Sequence, residues 1–147
     1  MKLDYVLPIC ALIVSALAFC VSIVTILVNL HQKKIDNLLS LHQFLHQADL
    51  SEARRSVRED GCEITLKNTA VRRVCSSFDF AGTMVRNGVV NRKLFFQYWA
   101  IPLMTLCRPL ALIGHEHTGD RVEVMEYYKD LWWLFEQAKK YIPPAKV

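Results

Sequence analysis

Glycine is scarce in this chain. Its five glycines fall in neither of the two common spacings of a phosphate-cradling loop, so nucleotide chemistry of that kind has no signature here. Neither glycine nor proline occurs between Pro8 and Gly61, and nothing in that interval forces a turn. The five cysteines include no C-x-x-C pair and stand at no zinc-finger distance from paired histidines, which argues against a zinc site and a disulfide framework. Cys62, Cys75 and Cys107 read as free, buried thiols in a reducing compartment, and Cys10 and Cys20 fall in an apolar run. His42 and His46 have metal-ligand spacing, but Gln43 stands where a zinc protease has glutamate. Acid is missing from a long stretch. Between Thr65 and Gly114 the charges are Lys67, Arg72, Arg73, Arg86, Arg92, Lys93 and Arg108 against the lone Asp79.

What is present is organised around Tyr5 to Leu30, 26 residues without a formal charge. As a helix this run is about 39 Å long, enough to cross a hydrocarbon core of roughly 30 Å with a modest tilt. A secretory signal has a shorter apolar core, and here the run continues from Val21 to Leu30 past the small residues Ala16 to Ala18. The segment therefore reads as an uncleaved anchor. Pro8 is expected in the first turn, where amides lack helical partners. Only Lys2 precedes the run, offset by Asp4, whereas Lys33 and Lys34 follow it, with Arg54, Arg55 and Arg58 beyond. That asymmetry places the N-terminus outside and the C-terminal domain in the cytoplasm.

The rest is one small domain with helical patterning, and the expected fold is all-α: a single membrane helix and a bundle of four or five helices. The divisions are an anchor over 1–31, a juxtamembrane helical stalk over 32–50, a helical domain over 51–142 and a tail over 143–147. Ile35, Leu38, His42 and Leu45 fit two heptads of a stalk through which two copies could pair. Asp49 and Glu52 form a capping box for a short helix running to about Glu59, and Gly61 ends it. Cys62 to Lys67 is a short extended connector. Thr69 to Arg86 carries an apolar stripe of Val71, Val74, Cys75, Phe78, Ala81, Gly82 and Val85, closed by Asn87-Gly88 with Val89 supplying the apolar contact. Asn91 caps Arg92 to Ile113, which is apolar nearly all round and should be the buried centre, broken or kinked at Pro102 and Pro109. Gly114 to Asp120 is a loop. Arg121 to Tyr141 is the last helix, its acids outward, ended by Pro143-Pro144.

Asp79 lies between Phe78 and Phe80 with no cation in its own turn, so burial would demand a partner from another element. Arg108 is the expected one. A ligand or phosphate site, hydrolytic in one version, would be built from Asp79, Arg108, Arg72 and Arg86. His115 and His117, with Glu116 and Asp120, are weak metal candidates without a third anchored ligand. The basic stretch would dock on the acidic last helix or on anionic lipid in preference to nucleic acid.

The segment VCSSFDFAGTMVRNGVVNRKLFFQYWA, followed by LCRPL and YYKDLWWLFEQA, resembles a family of bacterial membrane-anchored helical domains known only as a domain of unknown function. The resemblance covers roughly Ser51 to Ala138. Its pattern falls on Phe78, Asp79, Gly82, Asn87, Gly88, Trp99, Trp133 and Leu134, and it implies a fold and a bacterial inner-membrane location without an activity. Relatives carry an arginine pair after the central helix, where this chain has His115-Glu116-His117. The resulting expectation is a membrane-anchored interaction or sensing module with no catalytic constellation and no cofactor. Its partners are the bilayer and a second protein or a second copy of itself.

Overall fold

The computed structural model describes residues 3–58, 68–116 and 127–142, with side chains described for 9–58, 68–107, 110 and 127–142. Five helices make up the described residues: α1 Leu3–Leu45, α2 Ala48–Arg58, α3 Thr69–Arg86, α4 Arg92–Glu116 and α5 Lys129–Ala138. There is no strand among them. The all-α expectation holds, and α1 is the one helix among the described residues long and apolar enough to cross a membrane. Nothing in its most apolar window is buried inside the protein. Ser22 and Thr25 return their hydroxyls to the carbonyls of Ala18 and Val21, at 2.8 and 2.9 Å, which satisfies both groups without solvent. Pro8 sits in the second turn of α1, not the first.

At 43 residues, α1 runs on without a break into the region expected as a stalk. That region does not stand apart from the domain. Leu38, Leu41 and Leu45 are buried in one cluster with Leu50, Val57, Val71, Val74 and Phe78, so two of the four residues that fitted a coiled-coil seam, Leu38 and Leu45, are used within the chain. The chain turns at His46-Gln47, and α2 begins at Ala48. Asp49 therefore lies inside the first turn, and instead of capping, it faces Arg73 of α3 at 3.4 Å.

The stripe on α3 is buried as its spacing requires: Val74, Cys75, Phe78 and Ala81 are fully enclosed. Asn68 caps the helix by accepting from the Ala70 amide at 2.9 Å. At the other end Gly88 takes φ +70°, the left-handed region that favours glycine. The Gly88 and Val89 amides then donate to the carbonyls of Val85 and Met84, which is the Schellman closure expected of Asn87-Gly88. The apolar residue buried after this turn is Val90; Val89 is left exposed. The Asn37 side chain donates to the Val89 carbonyl at 3.1 Å and ties the turn to α1.

Asn91 accepts from the Leu94 amide at 3.2 Å and starts α4 as expected. The helix continues through Pro102 and Pro109 to Glu116 without interruption, so neither proline breaks it. His115 and Glu116 thus lie in its last turn and not in a loop. Its burial is one-sided: Phe95, Phe96, Trp99, Leu103, Leu106 and Cys107 are enclosed, while Tyr98 and Ile101 are 65% and 70% exposed. α5 packs against both α3 and α4. The segments 59–67, 117–126 and 143–147, which contain the extended connector, most of the expected loop, the start of the expected last helix and the tail, lie outside the described residues.

Candidate functional site

Asp79 is half-buried, and its chemistry is set by the N-terminus of α5. A helix begins with amides that have no partner of their own. Tyr128, at the N-cap position of α5, makes no side-chain capping bond. Asp79 Oδ1 supplies what is missing, accepting from the amides of Asp130 and Leu131 at 2.9 and 3.0 Å. A carboxylate at that end also meets the positive end of the helix dipole.

The junction is reciprocal. Thr83 Oγ1 donates to Asp130 Oδ2 at 2.7 Å, and Arg86 Nη1 donates to Asp130 Oδ1 at 2.8 Å. The Arg86 and Thr83 hydrogen bonds hold the Asp130 carboxyl below its ordinary value, against an opposing effect of burial. Gly82 makes the approach possible, since a Cβ there would stand 2.4 Å from the Asp130 carbonyl oxygen. Asp79, Gly82, Thr83 and Arg86 follow one another at three, four and seven residues, which puts them on one face of α3. That face is a receptor for a helix end. Arg86 paired with Asp130 also realises the expected contact between the basic stretch and the acidic last helix.

Of the residues expected to form a ligand site, Asp79 and Arg86 meet at the start of α5, and Arg72 stands apart from them. Arg72 and Arg86 are 14 positions apart on α3, about 21 Å along the helix axis. Asp79 has its carboxylate on α5, and the side chain of Arg108 lies outside the described residues, as does that of His115; His117 lies wholly outside them. No group of three His, Cys, Asp or Glu side chains among the described residues could hold a metal ion. Trp133 carries Arg92 over its ring at 5.2 Å, and Arg92 also reaches the Gln137 side chain.

A second constellation surrounds Trp99, and the sequence pattern shows only part of it. The His42 and His46 rings lie 4.3 Å apart, tilted by 51°, and stand 5.7 and 5.2 Å from Trp99. Below them Arg54 of α2 is 6% exposed, its guanidinium 5.3 Å from the centre of the Trp99 ring. Arg54 Nη2 donates to Ser51 Oγ at 3.0 Å. Nη1 of Arg54 and the Trp99 indole nitrogen are buried and have no hydrogen-bond acceptor among the described residues. Burial first, then Arg58, lowers the Arg54 value from its ordinary one, yet an arginine keeps its charge. Partial desolvation, His42 and Arg54 hold the His46 imidazole below its usual value. Spacing revealed the histidine pair; nothing in a single helix's pattern shows that an arginine of α2 points at a tryptophan of α4.

No curated protein and no solved structure matches the chain. The model of one protein family, described as "Domain of unknown function (DUF4760)", matches residues 12–137. The match takes in most of the apolar helix together with α2, α3, α4 and nearly all of α5, so the capping face of α3 and the Trp99 constellation both lie within the family's boundaries, and the chain belongs to the DUF4760 family.

Proposed function

We propose that the protein is a single-pass membrane protein of a bacterial inner membrane whose cytoplasmic helical domain acts as an interaction or sensing module. The single observation that carries this reading is the burial of Leu38, Leu41 and Leu45, which belong to the same helix as the apolar run, in the core of the domain. A tilt, rotation or pairing of the span would be passed to the domain without a flexible joint. The excess of lysine after the apolar run supports a cytoplasmic domain. The carboxylate that a hydrolytic reading needs is engaged in helix capping, which favours the non-catalytic one.

Tyr98 and Ile101, exposed one turn apart on α4, form the face on which a protein partner docks. Aromatic and aliphatic side chains of this kind anchor interfaces when a partner covers them. Affinity purification of the full-length protein from its native host in mild detergent, beside an Ile101→Asp variant, tests the reading. A stoichiometric partner lost from the variant, with unchanged melting, is expected. A monomer recovered alone at native expression would overturn it.

A further inference from the structure

The Trp99 constellation offers donors without an acceptor. Arg54 brings a buried positive charge that meets no carboxylate among the described residues. The neighbouring Trp99 nitrogen is a donor only and is equally unpartnered. Buried polar groups are ordinarily paired, and a buried charge is ordinarily matched by one of opposite sign. The two histidines add further ring nitrogens from α1. We propose that Arg54, Trp99, His42 and His46 form a binding site for a small soluble oxyanion of the phosphate class.

Three features select this ligand. The donors come from three helices, α1, α2 and α4, and so from three directions. That arrangement suits a tetrahedral group better than a planar carboxylate, and one of the five N–H donors of Arg54 is already given to Ser51. The third feature is depth: His42 and His46 lie 12 and 16 residues beyond Leu30 on α1, about 18 to 24 Å down the helix. The headgroup layer is only about 5 to 7 Å deep on each side, so the phosphate of a lipid does not reach the site. His46 is the exposed member and lies against Trp99, so the constellation meets solvent at its side chain. An occupied site would pin the membrane helix to α2 and α4, which gives the sensing module of the preceding section something to sense; the site itself stands whether or not a protein docks at Ile101.

Calorimetric titration of the full-length protein, in detergent and phosphate-free buffer, tests the assignment with inorganic phosphate as the probe. Sodium acetate and sodium chloride at equal ionic strength serve as comparisons, and a parallel run uses protein in vesicles containing phosphatidylglycerol. Saturable binding of phosphate is expected, absent with chloride and at least tenfold weaker with acetate. Anionic lipid should leave it unchanged. Trp99→Phe, which keeps a ring and removes the donor, should weaken binding about tenfold, the value of one hydrogen bond. Arg54→Met should abolish it. Should Arg54→Met fail to fold, the Trp99→Phe result alone decides. Heat that does not saturate, equal binding of acetate, competition by the lipid, or unchanged affinity in Trp99→Phe would each overturn the proposal.

Discussion

Replacing Gly82 with alanine ought to be an improvement by helix propensity alone, by about 1 kcal/mol in a helix interior. The structure predicts the opposite. The added methyl would meet the Asp130 carbonyl oxygen at 2.4 Å, whereas ordinary contact begins at 3.4 Å. The start of α5 must then retreat by about 1 Å, since backbone cannot swing aside as a flexible side chain does. The same displacement stretches the bonds from the Asp130 and Leu131 amides to Asp79, now 2.9 and 3.0 Å, beyond useful range. Overpacking of this kind costs about 1 to 3 kcal/mol, and two weakened bonds to a charged acceptor add about 1 to 3 kcal/mol. Against a gain of about 1 kcal/mol, the net loss is about 1 to 5 kcal/mol. For a domain near 100 residues this lowers Tm by at least about 4 °C. Circular dichroism of the detergent-solubilised protein measures it. A cycle with Asp79→Ala adds a sharper criterion: two changes acting on one junction should be less than additive. A neutral or stabilising Gly82→Ala, or strict additivity with Asp79→Ala, would refute the close approach of α5.

Acid should weaken the same junction. Asp130 has a folded-state value below its unfolded one, so its contribution is complete above the unfolded value of about 4 and fades as the pH falls through the folded value. Asp130→Asn should therefore flatten the melting profile below about pH 4, relative to the unaltered protein, and an identical slope in both would contradict the pairing. The Cys75 and Cys107 thiols, pushed up to about 12 chiefly by burial, should resist a maleimide at neutral pH until the domain is unfolded; labelling at native rates near those of an exposed thiol would place them outside the core.

Much of this architecture can be read from local pattern because its causes are local. The stripe on α3, the Schellman turn at Asn87-Gly88 and the cap at Asn91 each depend on residues within one or two turns. Asp79 stands out in the sequence as an acid in an apolar neighbourhood that needs a partner from another element. The sequence could not show that the partner is a pair of backbone amides, because a helix start presents the same groups whatever its side chains are. Charge alone suggested Arg108. Of the kink or break expected at Pro102 and Pro109, the break does not occur, and α4 continues through both. The environment of Arg54 was hidden for a different reason. Its position on α2 looks like one of several surface cations, and its burial becomes visible only once α2, α4 and the end of α1 are brought together.

The continuity of the apolar helix with the core of the domain is tested most directly by thermal unfolding of two shortened chains, residues 32–147 and 47–147. Both lack the apolar run, and they differ by the segment carrying Leu38, Leu41 and Leu45, all at least nine-tenths buried. Each buried leucine contributes about 1.5 to 3 kcal/mol, so losing three removes a large part of the roughly 5 to 15 kcal/mol that holds a domain together. The longer chain should melt in a single cooperative transition and the shorter should show none. Equal transitions at equal temperatures would mean that the domain is complete without the end of α1, and that the membrane helix is only a tether.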